Sequence, residues 1–245
     1  MSLVYIFAAS PAEAEPVRKI AAASGSSSAA RCGANDVVLI VGGMGPLNAK
    51  RKAEAILVAT ADAPPTHKPD AVLVIGLCGG LTDKLPERRI VAYTGCGSTE
   101  PATPILPCSE SILNATISVL SSSGIQCDRA IGVTSPRIAT TPDERLALAK
   151  WGATVVDMES YSILSAASAA GVPAAVLRVV ADSPDRVLPD LNSALDASGG
   201  LDGRKALKVA LGSPVRTARL IAANRRAMGS LSKALEIVVK APCFA

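Results

Sequence analysis

The chain has 245 residues, 49% of them hydrophobic but only 2% aromatic, and a formal net charge of +4. That length supports one large α/β domain with a full core, built here from Ala, Val, Leu and Ile, and no apolar run reaches the roughly 18 residues that a membrane span needs. The six cysteines form no Cys-x-x-Cys pair and His67, in a polar, proline-rich connection, is the only histidine; this argues against a zinc site and against Ser-His or Cys-His catalysis, and leaves the cysteines as reduced, buried, small apolar residues of a cytoplasmic protein.

Leu3–Ala8 reads as a buried first strand rather than a signal peptide, because the N-terminus lacks a basic start and acids follow soon after. Further apolar runs predict strands at Val37–Val41, Ala71–Ile75, Ile90–Tyr93, Ala130–Val133, Thr154–Val156 and Ala174–Val180. Helical patterns fall between them, at Pro11–Ala23, Pro46–Ala61, Ser109–Ser123, Pro142–Trp151 and Met158–Ala170. Thr141, Pro142 and Glu144 form a capping-box pattern with proline in the first turn. Gly171 fits the position just past a helix end, with Pro173 soon after. Ser24–Ala30 is short enough to be a loop. Strands alternating with helices imply a mostly parallel sheet covered on both faces.

After Asp185 the strands stop. A polar loop over Arg186–Gly203 precedes two predicted helices, Arg204–Leu211 and Val215–Val239. In the second, Leu220, Ala227, Leu231, Leu235 and Val238 share one apolar face. Asp202 to Lys240 holds nine Lys/Arg against two acids, a net +7 that leaves −3 for the rest of the chain. Arg219, Arg226, Lys233 and Lys240 recur every seven residues as a basic stripe. The stripe is either a solvated outer face or a contact for an anionic membrane surface.

Acids mark the ends of two predicted strands. Asp157 and Glu159 sit where one strand hands over to a helix, and Asp182 ends the next. In an open α/β sheet, ligands bind at the carboxyl ends of strands, so these acids border one crevice. Glu13 and Glu15 follow the first strand; they either face the same crevice or complement the helix macrodipole. Two glycine-rich turns, Gly42-Gly43-Met44-Gly45-Pro46 and Gly76-Leu77-Cys78-Gly79-Gly80, follow strands, where glycine lets backbone approach a ligand. Neither is a P-loop nor a dinucleotide fingerprint.

The segments GGMGPLNA, DAVLVIGLCGGL, VVDMES and LRVVADSPD, spread from the first strand to about Asp185, make the chain resemble the purine/uridine phosphorylases. That family includes the methylthioadenosine/S-adenosylhomocysteine nucleosidases. With VTSPRIATTPDE, WGATVVDMES, DSPDRVLP and the basic helical tail, the chain is most similar to the hopanoid-associated phosphorylases. The resemblance implies a three-layer αβα sandwich around a central twisted, mixed but mostly parallel sheet. It implies a single nucleoside phosphorylase-like domain over residues 1–245, with a basic helical extension at about 204–240. It also implies cleavage of a ribosyl–base bond. Asp182 then matches the acid that protonates the base at N7, and an apolar strand end supplies the desolvation that raises its pKa. Glu13 matches the carboxylate that positions an attacking water. Glu159 matches the acceptor of ribose hydroxyls, Met158 the residue that packs on the sugar, and Ile138 lies near the base pocket. Gly43, Leu77 and Gly79 join the substrate-binding set through the two glycine turns.

The chain departs from the phosphorylases at Val74 and Leu77, where that family places a basic residue and a serine. An incoming phosphate loses partners there; Arg137 is the candidate replacement. No cofactor or metal is expected, with phosphate as an optional co-substrate. Leu77 makes the site more apolar, which suits a lipid-like 5′ substituent such as that of adenosylhopane. The leading expectation is therefore an enzyme that releases adenine from a 5′-substituted adenosine. It would be cytoplasmic or membrane-associated, a homodimer, with no nucleic-acid partner. The alternatives are a methylthioadenosine/S-adenosylhomocysteine-type nucleosidase and a non-catalytic nucleoside-binding module.

Overall fold

The computed structural model describes residues 2–22, 30–58, 68–100, 103–196 and 200–244. His67 and most of the Ser24–Ala30 segment lie outside the described residues. In chain order the elements are β1 (Ser2–Ala8), α1 (Pro11–Ala22), β2 (Ala30–Cys32), β3 (Asn35–Val41), α2 (Pro46–Leu57), β4 (Ala71–Gly80), β5 (Ile90–Ser98), β6 (Leu106–Pro107) and α3 (Glu110–Ser122). They continue with β7 (Cys127–Thr134), α4 (Pro142–Ala149), β8 (Val155–Asp157), α5 (Ser160–Ala169), β9 (Ala174–Asp182), α6 (Gly203–Gly212) and α7 (Pro214–Val238).

Alternation along the strands sorts side chains onto two faces of the sheet. In β4, Ala71, Leu73 and Ile75 join one core with Val17 of α1, Leu113 of α3 and Leu231 of α7. Val72, Val74 and Cys78 of the same strand join the other core, with Ala53 of α2 and Leu164 of α5. Helices therefore cover both faces of a central mixed sheet. The C-terminal half of α7 belongs to the first core: Ala227, Leu231, Ala234, Leu235 and Val238 are fully buried.

The sheet does not stay open. β4 pairs β9 in parallel, β9 pairs β5 antiparallel, and β5 and β7, then β7 and β8, pair in parallel. β8 then returns antiparallel to β4, through Gly79 opposite Val156 and Gly80 opposite Val155. Five strands thus close into a ring, while β1, β3 and β2 extend from β4 as an open wing. This corrects the expectation of an open crevice: the strand ends surround a pocket.

A second correction concerns Gly76 to Gly80. The segment is not a turn, because β4 continues through it to Gly80. Pairing with β9 shifts register between Cys78 and Gly79, and such an irregularity twists and bends the strand locally.

Local signals in the sequence are met where they were strongest. Thr141 Oγ1 accepts from Glu144 N at 3.3 Å and Glu144 Oε2 accepts from Thr141 N at 3.1 Å, which closes the capping box of α4. Gly171, at φ +63°, ends α5: its N–H donates to Ser168 O and that of Val172 to Ala167 O. This is the Schellman arrangement, which only a left-handed residue permits cheaply.

Candidate active site

The carboxyl ends of β1, β4, β8 and β9 open on one cavity of about 420 Å³. Glu13, from the first turn of α1, lies on its wall together with Glu159 and Asp182. Leu77, Gly79, Arg137, Ile138 and Met158 line the same cavity. Gly43 does not; its neighbour Met44 does. Gly43 adopts φ +88° in the β3–α2 turn, so its part is to shape the backbone there.

Asp182 is the last residue of β9 and is 6% exposed. Burial pushes its carboxyl pKa up, while the guanidinium of Arg145 pulls it down. Arg145 Nη1 reaches across from α4 and donates to Asp182 Oδ1, to Gly80 O at 3.2 Å and to Ser183 O at 3.3 Å.

Glu159 stands at the start of α5, one residue past Met158. Its Oε1 accepts from Gly45 N at 3.0 Å, and its Oε2 pairs with Arg178 Nη2 at 3.3 Å. Burial raises its pKa to about 7; Arg178 opposes this and Asp157 and Glu13 add to it. Asp157 is fully engaged in structure. Its Oδ1 accepts from Thr134 Oγ1 at 2.7 Å, Glu159 N at 3.1 Å and Ser160 N at 3.0 Å, and its Oδ2 lies 3.2 Å from Arg178 Nε. It caps α5, which satisfies helix-start amides that have no intrahelical partner.

Glu13 is held by its own turn. Oε2 accepts from Ser10 N at 3.1 Å and Ser10 Oγ at 3.2 Å, and Oε1 accepts from Leu77 N at 2.9 Å.

The glycines of β4 make room for protein groups. A Cβ on Gly76 would stand 2.5 Å from Glu13 Oε1 and 2.9 Å from Arg178 Nη1, and one on Gly79 would stand 3.2 Å from Asp182 Oδ1. The close approach anticipated for these glycines is thus made by the acids and arginines of the site. Strand glycines mark such approaches.

Sequence reasoning missed two arginines. Arg178 is 1% exposed in the middle of β9, where its Nε also donates to Ser160 Oγ at 3.1 Å and Nη1 to Leu77 O at 2.8 Å. A lone charge inside an apolar run was the available signal, since a buried cation demands carboxylate partners. Arg145 carried no such signal, because nothing in PDERLALA distinguishes it from a surface residue. The far wall was missed as well: Leu220, Asn224 and Met228, one turn apart along α7, line the cavity with Leu188, Leu191 and Leu201.

The cysteines are all free, and five of the six are buried. Burial raises the thiol pKa of Cys78, Cys96 and Cys108, which removes the thiolate that nucleophilic chemistry needs.

The fold recurs among solved structures. Methylthioadenosine/S-adenosylhomocysteine nucleosidase from Neisseria meningitidis, in complex with methylthio-immucillin-A, is similar at 17% identity and TM-score 0.74, covering 98% of this chain and 99% of that one. A futalosine hydrolase mutant of Helicobacter pylori is similar at 14% identity and TM-score 0.72, with the same coverage. S-adenosylhomocysteine nucleosidase from Streptococcus pyogenes, in complex with 5-methylthiotubericidin, is similar at 15% identity and TM-score 0.72, covering 98% and 96%. No curated protein matches the chain. The family model described as the phosphorylase superfamily matches residues 4–198. With four fifths of its length matched and the fold shared throughout, the chain belongs to the phosphorylase superfamily.

Proposed function

We propose that the protein cleaves the N-glycosidic bond of an adenine nucleoside that carries an apolar 5′ substituent, and releases adenine. One observation carries this reading: Glu13, Glu159 and Asp182 converge on a single, largely apolar cavity. In the proposed reaction the bond between ribose C1′ and the base nitrogen breaks and its electron pair goes to the purine. Asp182, whose pKa burial raises, gives its proton to N7 and neutralises the leaving group. Positive charge develops on the ribose, and the carboxylates stabilise it electrostatically. Glu159 accepts hydrogen bonds from the ribose hydroxyls, and Met158 packs on the sugar. Glu13 takes a proton from a water whose oxygen bonds to C1′. Water and nucleoside thus yield adenine and a 5-substituted ribose.

Hydrolysis is favoured because the group beside Leu77 N is the Glu13 carboxylate, which suits a water and repels a phosphate. Phosphorolysis is the second reading. The observation in its favour is Arg137, an exposed cation on the cavity wall with no ion pair among the described residues. The leucines at 77, 188, 191, 201 and 220 suit a lipid-like substituent, and adenosylhopane is the substrate to which the sequence resemblance points. A homodimer belongs to the same proposal.

The test is adenine release from adenosylhopane, methylthioadenosine, S-adenosylhomocysteine and adenosine, each with and without phosphate. Preference for the lipid nucleoside without need of phosphate is the expected result. Strict dependence on phosphate moves the reading to phosphorolysis through Arg137. Absence of release from every nucleoside, by a protein that still binds adenine, rejects catalysis.

A further inference from the structure

The segment from Gly203 to Ala223, which forms α6 and the start of α7, leaves an apolar face exposed. α6 has no buried residue. Leu207, Leu211 and Val215, spaced four apart, are 61%, 74% and 62% exposed. Spacing by four places Leu207 and Leu211 on one face of α6, with Arg204 and Lys208 along one side of it; Val215 follows across the break at Ser213, in the first turn of α7. From Gly203 to Ala223 the chain carries five cations and no acid. Single exposed leucines are ordinary on a protein surface; a row of them bordered by cations alone is not.

The helix that carries Leu207 and Leu211 starts at the wall of the candidate active site. Asp202 caps α6, accepting from Arg204 N at 2.9 Å and Lys205 N at 3.2 Å. Its own N–H donates to Ala194 O at 2.8 Å, which ties α6 to the wall that carries Leu191 and Leu201. Arg186, Arg216 and Arg219 line a second hollow of about 430 Å³, against one acid, Asp185. Leu188 and Leu220 border both hollows. Arg186 is paired with Glu87 at 2.5 Å, but Arg216 and Arg219 make no ion pair among the described residues. No described helix is long and apolar enough to cross a membrane, so an apolar row with this charge fits the boundary of a bilayer rather than its interior.

We infer that α6 and the first turns of α7 dock on an anionic lipid bilayer, with Leu207, Leu211 and Val215 entering the acyl boundary and Arg204, Lys208, Arg216 and Arg219 meeting the headgroups. The docked surface borders the leucine-lined wall of the active-site cavity, so a lipid-linked nucleoside passes from bilayer to site without crossing water. Docking stands on this geometry alone; the passage of substrate rests on the proposed reaction. The inference also moves the membrane-facing surface from the seven-residue stripe of α7 to α6. Only Arg219 of that stripe borders the second hollow, and Lys233 lines a different one with Glu87 and Arg88.

The test is flotation of the full chain with vesicles of phosphatidylglycerol and phosphatidylcholine against vesicles of phosphatidylcholine alone. The expected result is at least tenfold tighter partitioning onto the anionic vesicles, weakened by salt. The double variant Leu207→Ser/Leu211→Ser should lose at least tenfold in partitioning. Replacing Arg204 or Lys208 by Ala should each cost about fivefold. All these variants should keep the wild-type melting temperature, and their turnover of a soluble nucleoside without vesicles should be unchanged. Wild-type protein that stays off anionic vesicles at low salt, or a leucine variant that floats like wild type, overturns the inference. So does a wild-type dimer that ignores vesicles and that the leucine variant converts to monomer, since the row is then an interface between copies. Vesicle binding is read without turnover, so it fails or stands separately from the proposed reaction.

Discussion

Asp182 is under two opposing demands. Burial at the end of β9 favours its neutral form, and the Arg145 guanidinium favours the anion. The proposed general acid must be protonated at working pH, and the Arg145 charge opposes that. Replacing Asp182 by Asn should lower kcat by roughly 10² to 10⁴ while adenine still binds, measured by adenine release and by calorimetry. Replacing Arg145 by Gln removes the opposing charge, so the alkaline limb of the kcat/KM profile should move to higher pH. A purely structural role for Arg145 would lower activity without moving that limb. At this scale the acids were legible because each sits at a strand end in its own segment. Arg145 was not, because its partner lies 37 residues further along the chain.

Individual elements are shaped by what glycine leaves open. In β7, Gly132 carries the ring of Tyr93 against its backbone: a Cβ there would stand 2.2 Å from Tyr93 Cε2, and Tyr93 is fully buried. The two strands pair in this region, β5 shifting register between Tyr93 and Gly95. Gly132→Ala should therefore destabilise by about 1–3 kcal/mol, the usual cost of overpacking, read as a lower melting temperature. Gly124→Ala has open space around it but needs φ +73°, so its smaller cost arises from backbone alone. Caps of α4 and α5 were readable because each is written within a few consecutive residues. The course of β4 was not. Gly76-Leu77-Cys78-Gly79-Gly80 has the composition of a turn, and only its pairing with β9 and β8 holds it extended.

For the whole molecule, the concentration of buried carboxyls sets how stability depends on pH. Glu159 ionises near 7 when folded against an ordinary value of 4.5, so its contribution is complete below about 4.5 and is lost as pH rises through 7. Asp182 is shifted in the same direction. Unfolding free energy should fall between pH 5 and pH 8 by on the order of 1–3 kcal/mol. Few other groups titrate in that window, since the chain has one histidine. Denaturant melts across the range should show the slope, and Glu159→Gln should flatten it. A stability that rises toward pH 8 would contradict the burial of these acids.

Read alone, the sequence determined the order of the helices and of every strand but the short β2 and β6, the two-sided core, the caps, and the three acids at strand ends. Each rests on neighbours in the chain, where a repeat of two or 3.6 residues decides which side chains share a face. Tertiary structure alone decided that β8 closes the ring onto β4, that Arg145 meets Asp182 and Gly45 meets Glu159, and that α7 walls the cavity. Gly45 and Glu159 alone are 114 positions apart. Which of these contacts form depends on how all the layers pack at once: a buried charge must find its partner wherever the completed fold brings one.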